Sequence, residues 1–192
     1  MKKIFVIIIL LFVSTSVFPQ HRISVGLGYD IAIPIGDFRD IAKTGYSWTA
    51  IGEYPINPKF SVQLLSGYMK FPVDIEPIAT GGNVITFDLE SIPLRTGIKY
   101  FVIPDIFLVG EVGINFFKVS AAFQGAYGDP TKQSTNYQAQ FSLGAGAGGV
   151  INLAERSLIN ITAKYIYVDR GDYSINFNHV LLGIGLLVHF NI

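Results

Sequence analysis

HVLLGIGLLVHFNI, residues His179–Ile192, carries the clearest structural signal in this sequence. Alternate side chains along it are large and apolar and form one row: Val180, Leu182, Ile184, Leu186, Val188 and Phe190. Gly183, Gly185 and His189 lie on the opposite face. A two-residue repeat predicts a β-strand with two different faces. An apolar row that runs to an aromatic residue at the chain end indicates that this face meets lipid.

The same alternation recurs along the chain and predicts eight strands. They span 22–33, about 45–54, 60–70, 89–103, 106–119, 137–153, 158–168 and 179–192. Three connections are short, near 55–59, 103–105 and 153–157, and four are long, near 34–44, 70–88, 120–136 and 169–178. Short turns on one side and longer loops on the other are typical of outer-membrane β-barrels. An even number of strands also returns both termini to the side of the short turns.

Periodicity alone fits both a soluble sandwich, whose apolar face points inward, and a membrane barrel, whose apolar face points outward. The polar face here mixes Gly, Ser, Thr, Gln and Asn with few charges, which favours a lumen over a water-exposed surface. Aromatic residues lie near strand ends, as in membrane-interface belts: Tyr29, Tyr54, Phe60, Tyr68, Tyr100, Tyr167 and Phe190. Because lipid does not tolerate open sheet edges, the strands must close. We therefore predict an all-β fold, an eight-stranded antiparallel up-and-down transmembrane β-barrel.

The N-terminal residues are predicted to be a cleaved signal peptide. Lys2 and Lys3 precede the apolar run Ile4–Val13, and small residues follow at 14–16. This is the layout of a secretory signal, and the run is about half of the ~20 residues that a spanning helix needs, which disfavours the alternative of a membrane anchor. Residues 1–20 are assigned to the signal peptide and 21–192 to the barrel domain, with cleavage between Ser16 and His21.

Composition argues against several classes of function. The 14 basic and 14 acidic residues cancel, so the chain lacks the basic character of a nucleic-acid-binding protein. The chain has no cysteine, which excludes disulfides, zinc–thiolate sites and thiol catalysis. Its histidines, His21, His179 and His189, do not have the spacing of metal ligands. We expect no metal, no cofactor and no nucleic-acid partner.

With strands and loops assigned, the sequence resembles the small outer-membrane β-barrel family of Bacteroidetes, related in architecture to OmpA and OmpX. The segments that carry this resemblance are PIGDF (34–38), EYPINPKFSVQLLSGYMKF (53–71), SIPLRTGIKYF (91–101) and GIGLLVHF (183–190). The resemblance implies the barrel fold and a location in the bacterial outer membrane. Its motifs are structural, so it implies no catalytic residues and no cofactor. An even strand number puts both termini on the side of the short turns. Because the short turns of such barrels are periplasmic, we expect both termini in the periplasm.

Inward positions of the predicted strands carry a set of charges: Glu53, Arg95, Lys99, Glu111 and Lys164. An eight-stranded barrel is just wide enough for side chains to fill it, and unpaired buried charges cost several kcal/mol each. We therefore predict a lumen charge network in which the two glutamates meet the three cations, with Glu111 and Arg95 as direct partners on adjacent strands. Asp30 and Arg22 are candidates to join it near the strand ends. The inward glycines of 144–148 are expected to make room for bulky side chains opposite.

The last strand carries a further motif. Gly185, Val188 and Phe190 resemble the C-terminal signal by which the bacterial barrel-assembly machinery recognises its clients. The expected partners are therefore outer-membrane lipid and, during biogenesis, that machinery. The barrel itself is expected to be a monomer, and its long loops could contact a protein partner that the sequence does not name.

Three functions remain open from the sequence. The leading hypothesis is a non-enzymatic outer-membrane protein with a structural or surface-interaction role through its extracellular loops. The first alternative is a narrow pore for ions or small solutes. The second is a lipid-modifying enzyme at the barrel rim, for which His179 with Ser174 and Asp172 would be the candidate residues.

Overall fold

The computed structural model describes residues 22–73, 84–124, 131–169 and 176–191. The predicted signal peptide and its cleavage bond lie outside these residues, so the assignment of 1–20 and 21–192 as separate units stays a prediction. Strands account for nearly all of the described chain. Within it, no helix is long and apolar enough to cross a membrane.

The described residues form nine β-strands and one short 3-10 helix, η1. The strands are β1 Arg22–Pro34, β2 Gly45–Asn57, β3 Phe60–Pro72, β4 Val84–Ile103, β5 Ile106–Gln124, β6 Thr131–Ser134, β7 Gln138–Ala154, β8 Ser157–Val168 and β9 His179–Asn191, and η1 spans Gly36–Asp40. All strands except β6 are long, with 12 to 20 residues each.

The eight long strands close into an antiparallel barrel, as predicted. Each pairs with its neighbour in the chain, and β1 pairs with β9 from Arg22↔Asn191 to Pro34↔His179. The paired residues Arg22 and Asn191 and the tight turns lie at one end, which we call the turn end; the other is the loop end. At the turn between β2 and β3, the Asn57 side chain accepts bonds from the backbone N–H groups of Lys59 (2.8 Å) and Phe60 (2.9 Å).

The strands alternate inward and outward in the sense that the sequence predicts. Outward side chains are large, apolar and exposed: Leu27 is 70% exposed, Trp48 59% and Ile184 53%. Inward side chains such as Ser47 and Asn115 are fully buried. This arrangement, with apolar side chains outside and polar side chains inside, is the reverse of that in a soluble sandwich. It suits a barrel whose outer surface meets lipid.

The loop end differs from the prediction, which placed long loops at 70–88 and 120–136. There β3, β4 and β5 continue as a sheet, and β5 changes its neighbour from β7, paired up to Phe117, to β6, paired from Ser120. Where this extension begins, four outward positions of β3, β4 and β5 are charged instead of apolar. Lys70 pairs with Asp88 at 2.7 Å and Lys118 with Glu90 at 3.3 Å. An apolar outer row therefore ends before the strands do, which is why the sequence pattern underestimated their length.

Candidate functional site

The middle of the barrel lumen is built around Glu111 on β5. Its Oε1 accepts hydrogen bonds from Lys164 Nζ at 3.0 Å and from Gln63 Nε2 at 2.7 Å. Its Oε2 accepts from Arg95 Nη1 at 3.4 Å. The side chains of Arg95 and Glu111 have no exposed surface. One buried carboxylate therefore contacts two buried cations, and Nε and Nη2 of Arg95 have no hydrogen-bond partner among the described residues.

A second charge cluster lies nearer the turn end. Lys99 Nζ donates to Glu53 Oε2 at 2.5 Å, and Ser61 Oγ donates to Glu53 Oε1 at 2.7 Å. Lys99 also lies over the ring of Phe107, 4.6 Å from its centroid. The structure thus brings the five predicted lumen charges inside the barrel, divided into a Glu111 group and a Glu53 group. Asp30 is a buried third carboxylate and accepts from Thr49 Oγ1 at 3.3 Å; the side chain of Arg22 is outside the described atoms.

The inward glycines of β7 explain how these long side chains fit. A Cβ at Gly146 would lie 2.3 Å from the backbone oxygen of Ala163, beside Lys164. A Cβ at Gly148 would lie 2.5 Å from Cζ of Phe107. Glycine at these positions therefore leaves room for the backbone of β8 and for Lys164 and Phe107 on the strands beside β7, whereas the sequence analysis expected bulky side chains opposite.

Little free space remains between the two charge clusters. The cavity there measures about 20 Å³ and is lined by polar side chains that include Asp30, Thr49 and Asn160. A water molecule needs about 10–15 Å³ by this measure, so the cavity holds about one. At this level the lumen is packed with side chains.

The loop end of the lumen is closed by an apolar plug that the sequence analysis did not predict. The plug is the buried cluster Ala32, Phe38, Ala42, Met69, Phe71, Leu89, Phe117, Ile166, Val168, Phe177 and Leu181. Phe38, on η1, packs edge-on against Phe71 and Phe177, with centroids 4.8 and 5.3 Å apart. Phe177 stacks on Phe117 at 4.7 Å. A signal was present: inward positions turn from polar to apolar near the loop end of most strands.

Backbone contacts hold the segment that carries Phe38 over the barrel mouth. Gly36 has φ +61°, a left-handed conformation that glycine adopts at little cost and that turns the chain inward after β1. The backbone N–H of Ile35 donates to Asn178 O at 3.0 Å, and that of Lys43 donates to Pro72 O at 2.8 Å. The segment that carries Phe38 is thus tied to the residue before β9 and to the end of β3.

His179 does not lie at an exposed rim, as the enzyme hypothesis requires. It is fully buried beneath the plug, with Nδ1 2.9 Å from Phe177 O and its ring 5.4 Å from that of Phe71. Ser174 and Asp172 lie outside the described residues. Among the residues that are described, no group of three or more His, Cys, Asp or Glu could hold a metal ion.

The residues of the predicted assembly signal lie on β9 where it closes the barrel. Val188 and Phe190 point outward and are 37% and 52% exposed, and Gly185 points inward opposite Gly28. Their outward apolar surface is accessible along the membrane face. Recognition by the assembly machinery stays a prediction.

The turn end of the lumen is open. Below the Glu53 group the barrel widens into a cavity of about 630 Å³, which we call the vestibule. Its floor includes Ser24, Glu53, Ser61 and His189, and its walls include Phe101 and Leu158. The lumen therefore consists of an open vestibule, a packed charged middle and an apolar plug.

Solved outer-membrane proteins share this architecture. Ail, the attachment invasion locus protein of Yersinia pestis, solved with the heparin analogue sucrose octasulfate, is 17% identical with a TM-score of 0.51, covering 90% of this chain and 100% of Ail. Neisserial surface protein A is 14% identical with a TM-score of 0.52, covering 88% of this chain and 97% of that protein. OprG from Pseudomonas aeruginosa is 15% identical with a TM-score of 0.57, covering 90% of this chain and 97% of OprG. No protein-family model and no curated protein matches the sequence.

Identities this low show the fold alone. The resemblance to the Bacteroidetes family therefore stays a prediction. The chain has the closed eight-stranded fold of the small bacterial outer-membrane β-barrels.

Proposed function

We propose that this chain is a non-enzymatic protein of the bacterial outer membrane that acts through its loop end, in a structural or surface-interaction role. The observation that carries the proposal is the blocked lumen. A cavity of about 20 Å³ separates the charge clusters, and the apolar plug lies above it. A barrel blocked at two levels does not favour solute passage, which leaves the surface at the loop end as the working part.

The extended sheet of β3–β6 supports this role. Recognition residues are often carried on loops and extensions of a rigid scaffold. The outward charges there, Lys70, Asp88, Glu90 and Lys118, form two neutral pairs. Ail was solved with a sulfated sugar, but a wall with balanced charges does not favour a polyanion, so we extend no such ligand to this chain.

In this proposal the loop end is extracellular and both termini are periplasmic, as the short turns at the terminal end favour. The barrel is a monomer in lipid and is assembled through Gly185, Val188 and Phe190 on β9. It needs no cofactor.

The orientation can be tested with single cysteines, because the natural chain has none. Ser134→Cys lies on β6 at the loop end, and Lys59→Cys lies in the turn between β2 and β3. On intact cells, a membrane-impermeant maleimide should label Ser134→Cys only; after cells are opened, both should react. Labelling of Lys59→Cys alone on intact cells would reverse the orientation.

Conductance separates the surface role from the pore alternative. Purified protein in planar bilayers should show no stable channels. Reproducible unitary currents from the wild-type protein, altered in Glu111→Gln, would instead establish a pore through the lumen.

Mass spectrometry of lipid A tests the enzyme alternative: expression should leave lipid A unchanged, whereas a modification lost in His179→Ala would contradict a non-enzymatic role.

A further inference from the structure

The vestibule has the size and composition of a ligand site. Its volume of about 630 Å³ falls within the ~300–1,000 Å³ typical of small-molecule pockets. Such pockets are mostly apolar with a few polar groups that orient the ligand. The vestibule has apolar walls, formed by residues such as Phe101, Ile103, Val150 and Leu158, and a polar floor.

The floor offers hydrogen-bond acceptors to the cavity. Glu53 keeps 12% of its side-chain surface exposed, whereas its partner Lys99 keeps 1%. Of this pair, the carboxylate therefore faces the vestibule, and the ammonium of Lys99 is hidden behind it. The other cation of the lining, Lys59, is exposed in the turn between β2 and β3. Ser24 lies beside Glu53 in the strand register and its Oγ is 2.8 Å from His189 Nδ1. The oxygens of Glu53 and Ser24 thus form a compact acceptor surface at the bottom of an apolar cup.

We propose that the vestibule binds a small amphiphilic amine, with one ammonium head and a compact aliphatic or aromatic body. The head would donate charge-assisted hydrogen bonds to Glu53, and such bonds are about twice as strong as neutral ones. The body would cover the apolar walls near Phe101 and Leu158. A carboxylate shared by two cations has a precedent in the same lumen, because Glu111 already contacts both Arg95 and Lys164. This inference does not rest on the proposed surface role.

The test uses the full mature barrel, ¹⁵N-labelled in nanodiscs, and three probes of equal size: benzylammonium, benzyl alcohol and benzoate. Benzylammonium should produce saturable amide shifts at the floor, near Ser24 and Ser61, and none at Phe38 in the plug. Benzyl alcohol should bind at least about tenfold more weakly, since it lacks the charged donor, and benzoate should not bind there. Equal affinity for all three probes, or no saturable shift, would overturn the proposal.

Two variants localise the site. Glu53→Gln should weaken benzylammonium binding at least about tenfold. Because this change also unpairs Lys99, Asn152→Trp gives an independent test by filling the vestibule from its wall without touching the floor. Its matched control is Leu153→Trp, one residue along β7 on the outward face, where Leu153 is 57% exposed. The proposal requires binding to be lost in Asn152→Trp and kept in Leu153→Trp; retention in both variants would contradict it.

Discussion

Glu111 is the residue on which the charged middle of the lumen depends most, because its carboxylate contacts Arg95, Lys164 and Gln63. Glu111→Gln should lower the free energy of unfolding by about 3–5 kcal/mol, since it leaves two buried cations without their counterion. Arg95→Ala should also lower the melting temperature, by less, because Glu111 keeps Lys164. Denaturant titration in detergent measures both. The control is Asp105→Asn, at an exposed turn. Unchanged stability in Glu111→Gln would show that the charge network does not stabilise the fold.

Gly146 and Gly110 form a matched pair for the packing of the barrel wall. A Cβ at Gly146 would lie 2.3 Å from a backbone oxygen, and backbone cannot yield as a side chain can, whereas a Cβ at Gly110 would meet nothing within 4 Å. Gly146→Ala should therefore destabilise the barrel by about 1–3 kcal/mol, the usual cost of overpacking, and Gly110→Ala should not. Thermal unfolding of the two variants side by side checks this. Equal melting temperatures would show that β7 shifts freely to admit a side chain.

The alternation along each strand was sufficient to predict which charges point inward, and neighbouring strands suggested the contact between Glu111 and Arg95 that the structure has, but the other pairs were not predicted one by one. Glu111 lies opposite Gly97 on β4, while Arg95 lies opposite Gly113, so their contact is diagonal. Glu53 and Lys99 are on strands separated by β3. Such contacts depend on the stagger of the closed barrel and on side-chain length, and neither can be read from one strand at a time.

The plug depends on the short helix η1, which places Phe38 against the rings of Phe71 and Phe177. Phe38→Ala should lower the free energy of unfolding by about 3–5 kcal/mol, as for other buried phenylalanines. Phe141→Ala is the matched control, because Phe141 points outward and is 49% exposed. Unfolding of both proteins in the same detergent gives the comparison. A loss in Phe38→Ala no larger than in Phe141→Ala would mean that η1 rests on the barrel without closing it.

Strand β9 carries the proposed assembly signal at an outward, accessible position. Phe190→Ala should reduce the folded fraction in outer membranes several-fold, while purified protein should refold in detergent nearly as well as wild type. The physical reason is that Phe190 makes a lipid-facing surface, 52% exposed, and not a lumen contact. Heat-modifiable gel migration measures the folded fraction in both settings. Normal assembly in cells would remove Phe190 from the signal.

Strand boundaries were predicted well at the turn end and poorly at the loop end. At the turn end, Asn57, Pro58 and Pro104 interrupt the alternation sharply. At the loop end, β4 begins at Val84 and β5 reaches Gln124, beyond the apolar rows from which the strands were predicted. Hydrogen bonding in a sheet continues past the membrane, so the outward row changes from apolar to charged while the backbone stays extended.

For the molecule as a whole, the sequence was sufficient to predict the strand number, the closure and the direction of each face. All three follow from period-two patterning together with the requirement that a sheet in lipid has no open edge. The apolar plug, the vestibule and β6 could not be predicted in this way. They arise where strands and connecting segments from distant parts of the chain meet at the two ends of the barrel.

Trp48 offers a measurement on the unmodified protein, because it is the single tryptophan and lies on the outward face, 59% exposed. The protein should be reconstituted into bilayers with brominated acyl chains, and its fluorescence compared with that in the same lipid without bromine. If the apolar face meets lipid, bromine should quench most of the emission, and aqueous iodide should quench little. Emission that brominated lipid leaves unchanged and iodide quenches strongly would contradict a membrane barrel with this face outward.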